Sequence, residues 1–181
     1  MRKNQCGNAP NDERYTPANV VKRVRRVLGG IDVDPASCDA AQAAIQAATW
    51  YCRERSGLAA QWPGRVWLNP PYSHGLYGSF VRHLIREILA GRTTEAICLV
   101  NNNTETAPTQ ALMEISSAWC FPRGRVAFRG DDLDGKTGGF CGQLLCYFGP
   151  RPEAFISEFS AMGACAKPVH LPQWDLFLSP E

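Results

Sequence analysis

The stretch Val66-Trp67-Leu68-Asn69-Pro70-Pro71-Tyr72-Ser73 constrains this chain more than any other. Its opening apolar run reads as a buried strand. The run ends abruptly. Pro71 has no N–H and biases Pro70 away from the helical region, so the chain leaves the sheet in a stiff, extended turn. Such a turn can hold one carboxamide, one free backbone carbonyl and one aromatic face at a strand's C-terminal end. In open α/β sheets that edge is where ligands bind.

The residues around this stretch alternate between helical and strand patterns. Thr16-Pro17 gives a hydroxyl N-cap and a proline at the first helical position. Val20, Val21, Val24, Val27 and Leu28 then fall on one face, with Lys22, Arg23, Arg25 and Arg26 opposite, until Gly29-Gly30. Ile31 to Pro35 is a short strand with a proline stop. The alanine-rich run from Ser37 to Thr49 is a helix, capped by Ser37 or Asp39. Trp50 to Cys52 is a second strand candidate, and Arg53 to Gln61 a loop broken at Gly57. After the organising turn, Leu76, Phe80, Leu84, Ile85, Ile88 and Leu89 mark a second amphipathic helix. Ala96 to Val100 is a buried parallel strand with Asn101-Asn102-Asn103-Thr104 at its exit. A helix from about Pro108 to Ser116 and a strand from Ala118 to Phe121 follow. Arg125–Phe128 and Gln143–Phe148 look like a terminal pair, and Pro152–Met162 like a last helix. This order predicts an α/β fold: a mostly parallel sheet with an antiparallel edge and helices on both faces.

A chain of 181 residues, 45% hydrophobic and 20% charged, suits one globular domain. We expect a flexible N-terminus over residues 1–13, the domain over 14–165 and an irregular tail over 166–181. No apolar stretch reaches membrane-spanning length and no signal peptide opens the chain, so a cytoplasmic protein with no membrane partner is expected. The eight cysteines are scattered, with no Cys-x-x-Cys pair. They read as reduced, buried hydrophobes, and no zinc site is expected. Residues 1–30 hold seven Lys/Arg against two Asp/Glu, a local charge of +5 within a net +2. A basic helix there could touch phosphate or be an ordinary solvated face.

Asn69-Pro70-Pro71-Tyr72 looks like the catalytic motif of amino-methyltransferases that use S-adenosylmethionine. Its company, in order, is Tyr15-Thr16-Pro17, Asp32-Val33-Asp34-Pro35-Ala36-Ser37, Gly57-Leu58, Trp62, Asn101 to Thr106 and Phe121-Pro122-Arg123-Gly124-Arg125. That order resembles the phage-type DNA N-6-adenine methyltransferase family over roughly residues 14 to 163. The resemblance implies a Rossmann-like class I methyltransferase fold and S-adenosylmethionine as cofactor, with no metal. It implies cofactor contacts from Tyr15, Thr16, Pro17, Asp34, Pro35 and Ser37. Catalysis would fall to Asn69, Pro70, Pro71 and Tyr72. The partner would be double-stranded DNA with a flipped adenine, in a bacterial or phage-infected cell and a restriction-modification setting, acted on by a monomer or dimer.

The chemistry of the residues agrees. Adenine N6 is a poor nucleophile because its lone pair is delocalised into the ring. Two acceptors aimed at its hydrogens, Asn69 Oδ1 and the Pro70 carbonyl, favour pyramidalisation and stabilise developing positive charge. Tyr72 can stack on the base and hold it in line. A base inside a duplex cannot reach such a pocket, so it must flip out. Cytosine C5 enzymes resemble one another in a Pro-Cys nucleophile, which does not occur here. Cytosine N4 enzymes usually carry Ser where Asn69 stands. Glutamine-N5 enzymes share the motif but show a glycine-rich loop after strand one, which this chain lacks. A second departure is Arg55-Ser56, where relatives tend to have acidic residues before Gly57-Leu58. Asn101 and Asn102 are candidate liners of the target pocket. Arg123 and Arg125, with the loop 122–142, are candidates for DNA contact. The rival readings are a non-catalytic phage DNA-binding accessory protein and an RNA or protein amide N-methyltransferase. Asp32, His74 and His83 read as surface or structural residues, Trp62 and Trp67 as core.

Overall fold

A computed structural model describes residues 14–72, 75–128 and 141–169. Helix α1 (Ala18–Leu28) buries Val20, Val21, Val24, Val27 and Leu28, the face that their spacing predicts. It starts one residue late. Pro17 occupies the N-cap with extended backbone, so Thr16 stands outside the helix and does not cap it. Strand β1 (Val33–Asp34) follows, then α2 (Asp39–Ile45). Neither Ser37 nor Asp39 caps α2: Cys38 holds the N-cap position without a side-chain bond. The helix is shorter than its alanine content suggests because Gln46 turns left-handed, with φ 53°, and ends it. Strand β2 (Thr49–Trp50) leads to a 3₁₀ turn at Gly57–Ala59, inside the expected loop.

The organising strand is β3 (Gly64–Leu68), followed by α3 (Leu76–Leu89) and β4 (Thr93–Asn101). Next come α4 (Ala107–Ile115), β5 (Ala118–Pro122), β6 (Gln143–Phe148), α5 (Pro152–Phe159) and β7 (Gly163–Ala166). The seven strands form one sheet in the order β2-β1-β3-β4-β6-β5-β7. Strands β2, β1, β3 and β4 are parallel. Strand β6 is antiparallel to both β4 and β5, so β5 runs with the parallel set.

The expected pairing of 125–128 with 143–148 does not form. Strand β6 instead lies between β4 and β5 and is buried along its whole length, as a six-residue apolar run with one leading glutamine requires. The antiparallel edge is β7, paired with β5. Its Gly-Ala-Cys-Ala sequence carries no β-branched or aromatic signal. What admits it is Gly163, where a Cβ would sit 2.0 Å from the Phe121 carbonyl oxygen.

Side chains on β4 divide between two cores. Ile97 and Leu99 join α1 and α5 through Val24, Leu28, Phe155 and Phe159. Ala96, Cys98 and Val100 join α3 and α4 through Phe80, Leu84, Ile88 and Leu112. Helices therefore cover both faces, and Trp67 and Trp62 are fully buried in opposite cores. Six cysteines are free thiols, as expected, but Cys141 is disulfide-bonded, which the scattered spacing did not suggest. Burial raises the Cys98 and Cys146 thiols well above their ordinary range, so they are inert packing groups. Among the described residues no helix is long and apolar enough to cross a membrane.

Candidate active site

Strand direction sets which residues meet. The C-terminal ends of β1, β3, β4 and β5 share an edge with the start of antiparallel β6, as the Asn101–Gln143 register shows. Asp34, Asn69, Tyr72, Asn101 and Arg123 all follow or end these strands.

Asn69 leaves β3 with its Nδ2 donating to the Arg14 carbonyl at 2.9 Å. A carbonyl oxygen only accepts, so the amide has one orientation here: nitrogen toward Arg14, oxygen away. This bond also seats the Arg14-Tyr15-Thr16-Pro17 segment beside the Asn-Pro-Pro-Tyr turn. Two motifs 55 positions apart in sequence are thus joined by one hydrogen bond. Pro70 is buried behind the amide, and Pro71 and Tyr72 are half-buried.

Tyr72 is fixed at both ends. Its hydroxyl accepts a short hydrogen bond from the Asn101 N–H at the end of β4. Its ring stacks on Tyr77 of α3, with centroids 5.1 Å apart and planes 20° from parallel. Tyr77 is tied in turn to Thr109 at 2.7 Å, and Thr109 to Thr106 at 2.9 Å. Burial pushes the Tyr72 hydroxyl well above the usual phenol range, so it stays neutral.

Asp34 ends β1 and is 1% exposed. The Ala36 N–H reaches Oδ1 at 3.3 Å and Gln42 Nε2 reaches Oδ2 at 2.9 Å. Burial raises its pKa from 3.8 to about 7, against hydrogen bonds from Ser37, Ala36 and Gln42 that lower it. All three donors are neutral, so among the described residues no cation offsets the charge of the ionised form. Thr16 is also buried, and its Oγ1 has no hydrogen-bond partner among the described residues. A buried hydroxyl and a buried carboxylate at the same edge want donors and a cation that the described residues do not supply. Pro35 is buried against Gly57, where a Cβ would come within 2.3 Å of the Pro35 carbonyl oxygen. The Trp62 indole holds the Gly57 carbonyl at 2.9 Å, so this tryptophan braces the Asp34-Pro35 turn from behind.

Asn101 contributes its N–H to Tyr72 and its Oδ1 to Gln143 at 3.5 Å. Asn102 is exposed and donates its N–H to the Gly142 carbonyl. Gln143 also accepts from the Val126 N–H at 3.0 Å, which ties the 123–128 segment to the end of β4. Arg123 and Arg125 are exposed on that segment. The basic face of α1 is otherwise engaged. Arg23 and Arg26 bind Glu158 at 3.0 Å each, and Arg25 binds the Ile45 carbonyl at 2.8 Å. Ser73, His74 and most of the loop 122–142 lie outside the described residues. No group of three or more His, Cys, Asp or Glu with metal-binding geometry occurs among the described residues.

The structure thus brings Thr16, Asp34, Asn69, Tyr72 and Asn101 to one edge. Ser37 turns inward, with its hydroxyl joining Gln42 and Asp34. Sequence reading missed Gln42, Tyr77, Gln143 and the Arg14 carbonyl. The first three were visible as the long polar residue of an alanine-rich helix, an aromatic at a helix start and the one polar residue of an apolar strand. A backbone carbonyl has no sequence signal. His83, expected to be a structural or surface residue, is structural: it is 8% exposed and packs on Trp62 at 4.4 Å.

A parallel-rich α/β sheet with helices on both faces, ending at its ligand edge in Asn-Pro-Pro-Tyr, is the Rossmann-like methyltransferase fold. The sequence matches the family described as DNA N-6-adenine-methyltransferase (Dam) over residues 3–164 of 181, and the chain belongs to that family. No curated protein and no solved structure matches it.

Proposed function

We propose that the protein transfers a methyl group from S-adenosylmethionine to N6 of an adenine flipped out of double-stranded DNA. The observation that carries this reading is the Asn69–Arg14 bond, because it turns the amide oxygen into the end left to receive an N–H. The unit responsible is residues 14–165.

The cofactor fits the residues present. Tyr15, Thr16 and Pro17, with Asp34 and Pro35, would hold its methionine portion: among the described residues the Thr16 hydroxyl has no partner and the buried acid of Asp34 no cation. S-adenosylmethionine supplies the methyl group, carried on a sulfonium sulfur. Ser37 acts through Asp34. Asn69 Oδ1 and the Pro70 carbonyl accept the two N6 hydrogens and stabilise the positive charge that develops on nitrogen. Tyr72 offers the base the ring face opposite Tyr77. Its neutral hydroxyl takes no proton, so the surplus N6 proton passes to solvent after transfer. Asn101 and Asn102 line the target pocket, and Arg123 and Arg125 meet phosphates flanking it.

The test is transfer of labelled methyl from S-adenosylmethionine to double-stranded DNA, followed by nucleoside identification. N6-methyladenine is the expected product. Label on RNA or protein alone, or a folded protein with no affinity for S-adenosylmethionine, overturns the reading.

A further inference from the structure

Gln42 lies on α2, outside every motif that marks the site, yet its carboxamide is fully engaged. Its Oε1 accepts from the Ala47 N–H at 2.9 Å, and its Nε2 donates to Asp34 Oδ2 at 2.9 Å and Ser37 Oγ at 2.7 Å. A backbone N–H only donates, so Ala47 sets the orientation of the amide and directs its nitrogen to the carboxylate. Ala47 is available because Gln46 closes α2 in the left-handed conformation.

We propose that Gln42 is a positioning residue of the cofactor site, holding the Asp34 carboxylate for the ammonium group of the methyl donor. This rests on the reading of Asp34 as a cofactor residue. The groups facing Asp34 are Ala36 and Ser37 from its own turn and Gln42 from α2. Its strand neighbours are Trp50 on β2 and Val66 of β3, which is registered to Val33. None of these carries charge, and no charged side chain among the described residues contributes to the raised pKa of about 7. Among the described residues, Gln42 is the one donor that reaches this carboxylate from a different element. It therefore couples the end of α2 to the ionisation and placement of the acid.

The experiment is calorimetric binding of S-adenosylmethionine to the full chain, from acid to mildly alkaline pH. Wild type, Gln42→Met, Gln42→Glu and Asp34→Asn are compared. Titration of the ligand's own ammonium is common to all four. Wild-type affinity rises as pH passes through about 7, where Asp34 ionises. Gln42→Met moves that inflection to higher pH and weakens binding at neutral pH about tenfold, the loss of one hydrogen bond to a charged group. Gln42→Glu keeps the acceptor for Ala47 and moves the inflection further, so it decides the matter if Gln42→Met does not fold. The KM for S-adenosylmethionine rises while kcat at saturation holds, which a merely structural role would not produce. Gln42 variants that share the wild-type profile overturn the proposal. Asp34→Asn is expected to bind weakly with no inflection. If it binds like wild type, the cofactor reading of Asp34 fails as well.

Discussion

The two edges of the sheet are built from opposite chemistry. At the N-terminal edge of the parallel strands, three acids are each gripped by an arginine fork. Arg65 holds Asp32 at 2.7 and 2.8 Å, Arg92 holds Glu87 at 2.8 and 2.9 Å, and Arg151 holds Glu95 at 2.7 and 3.1 Å. At the C-terminal edge three polar groups meet neutral partners among the described residues: Asp34 with Gln42 and Ala36, Asn69 with Arg14 O, Tyr72 with Asn101 N. Asp32 and Asp34 show the contrast within three residues. The arginine fork holds Asp32 below the usual carboxylate range, whereas burial among neutral donors lifts Asp34 to about 7. Saturated charges tie strands and helices together, and in the function proposed above the unsaturated ones await the cofactor and the base.

The largest effect that separates the edges is catalytic. Asn69→Ala is expected to lower kcat about 10²–10³-fold, the range for removing one preorganised group at a developing charge, while stability falls only by about 1 kcal/mol for the lost bond to Arg14. Asn69→Asp sharpens the point. It keeps an acceptor but sets a second oxygen against the Arg14 carbonyl, so the group is pushed out of place. We expect it to lose at least about tenfold in kcat. A fully active Asn69→Asp protein would show that the Arg14 bond does not orient the amide.

The next effect is on stability without cofactor. A folded pKa of about 7, above the ordinary 3.8, makes the protonated acid the form that suits the fold. The stabilisation is complete below the ordinary value and is lost as pH rises through about 7. Urea unfolding of cofactor-free protein should therefore show stability falling across this window, on the order of a few kcal/mol. Asp34→Asn should abolish that fall, and saturating S-adenosylmethionine should reduce it. A wild-type curve that is flat in this range would remove the electrostatic half of the comparison.

Much of the ligand edge was legible because its residues announce themselves. Asn69 to Tyr72 follow an apolar strand, and Asp34-Pro35 stops another, so their places were readable from strand ends alone. What was hidden came through backbone and long-range partners. Arg14 serves through its carbonyl, Gln42 through an amide set by Ala47, and neither function depends on local periodicity. Strand β7 was hidden for a different reason. Its residues have little strand preference, and the pairing with β5 outweighs propensity. The 125–128 segment erred the other way: an apolar alternation that tethers to Gln143 by one hydrogen bond instead of forming a ladder. The basic face of α1 looked like a surface, yet its arginines tie the helix to α5 and to the end of α2.

At the opposite edge, Glu95 is the most informative substitution. It is 7% exposed, takes two guanidinium nitrogens from Arg151 and accepts from the Tyr147 hydroxyl. Glu95→Ala leaves Tyr147 and Arg151 without that acceptor. Breaking a fully buried pair costs about 3–5 kcal/mol, but the Arg151 side chain is half exposed and water recovers part of it. We expect a loss of about 2 kcal/mol by denaturant unfolding, with kcat and the KM for S-adenosylmethionine unchanged.

The smallest effect belongs to Asp32, and it bears most directly on the contrast with Asp34. Both Asp32 and Arg65 have side chains 36% exposed, so solvent screens their attraction. Asp32→Asn should cost at most about 1 kcal/mol at neutral pH, less in high salt. The sign with pH is opposite to that of Asp34. A lowered carboxylate pKa stabilises above its unfolded value and loses that contribution as pH falls through the lowered one. Wild type and Asp32→Asn should therefore converge in acid from a wild type that is the more stable at neutral pH, whereas wild type and Asp34→Asn converge in acid from a wild type that is the less stable at neutral pH. Cofactor affinity should not respond to Asp32→Asn, because its carboxylate is already saturated by Arg65. If affinity fell as far with Asp32→Asn as with Asp34→Asn, the division between a structural edge and a ligand edge would not hold along β1.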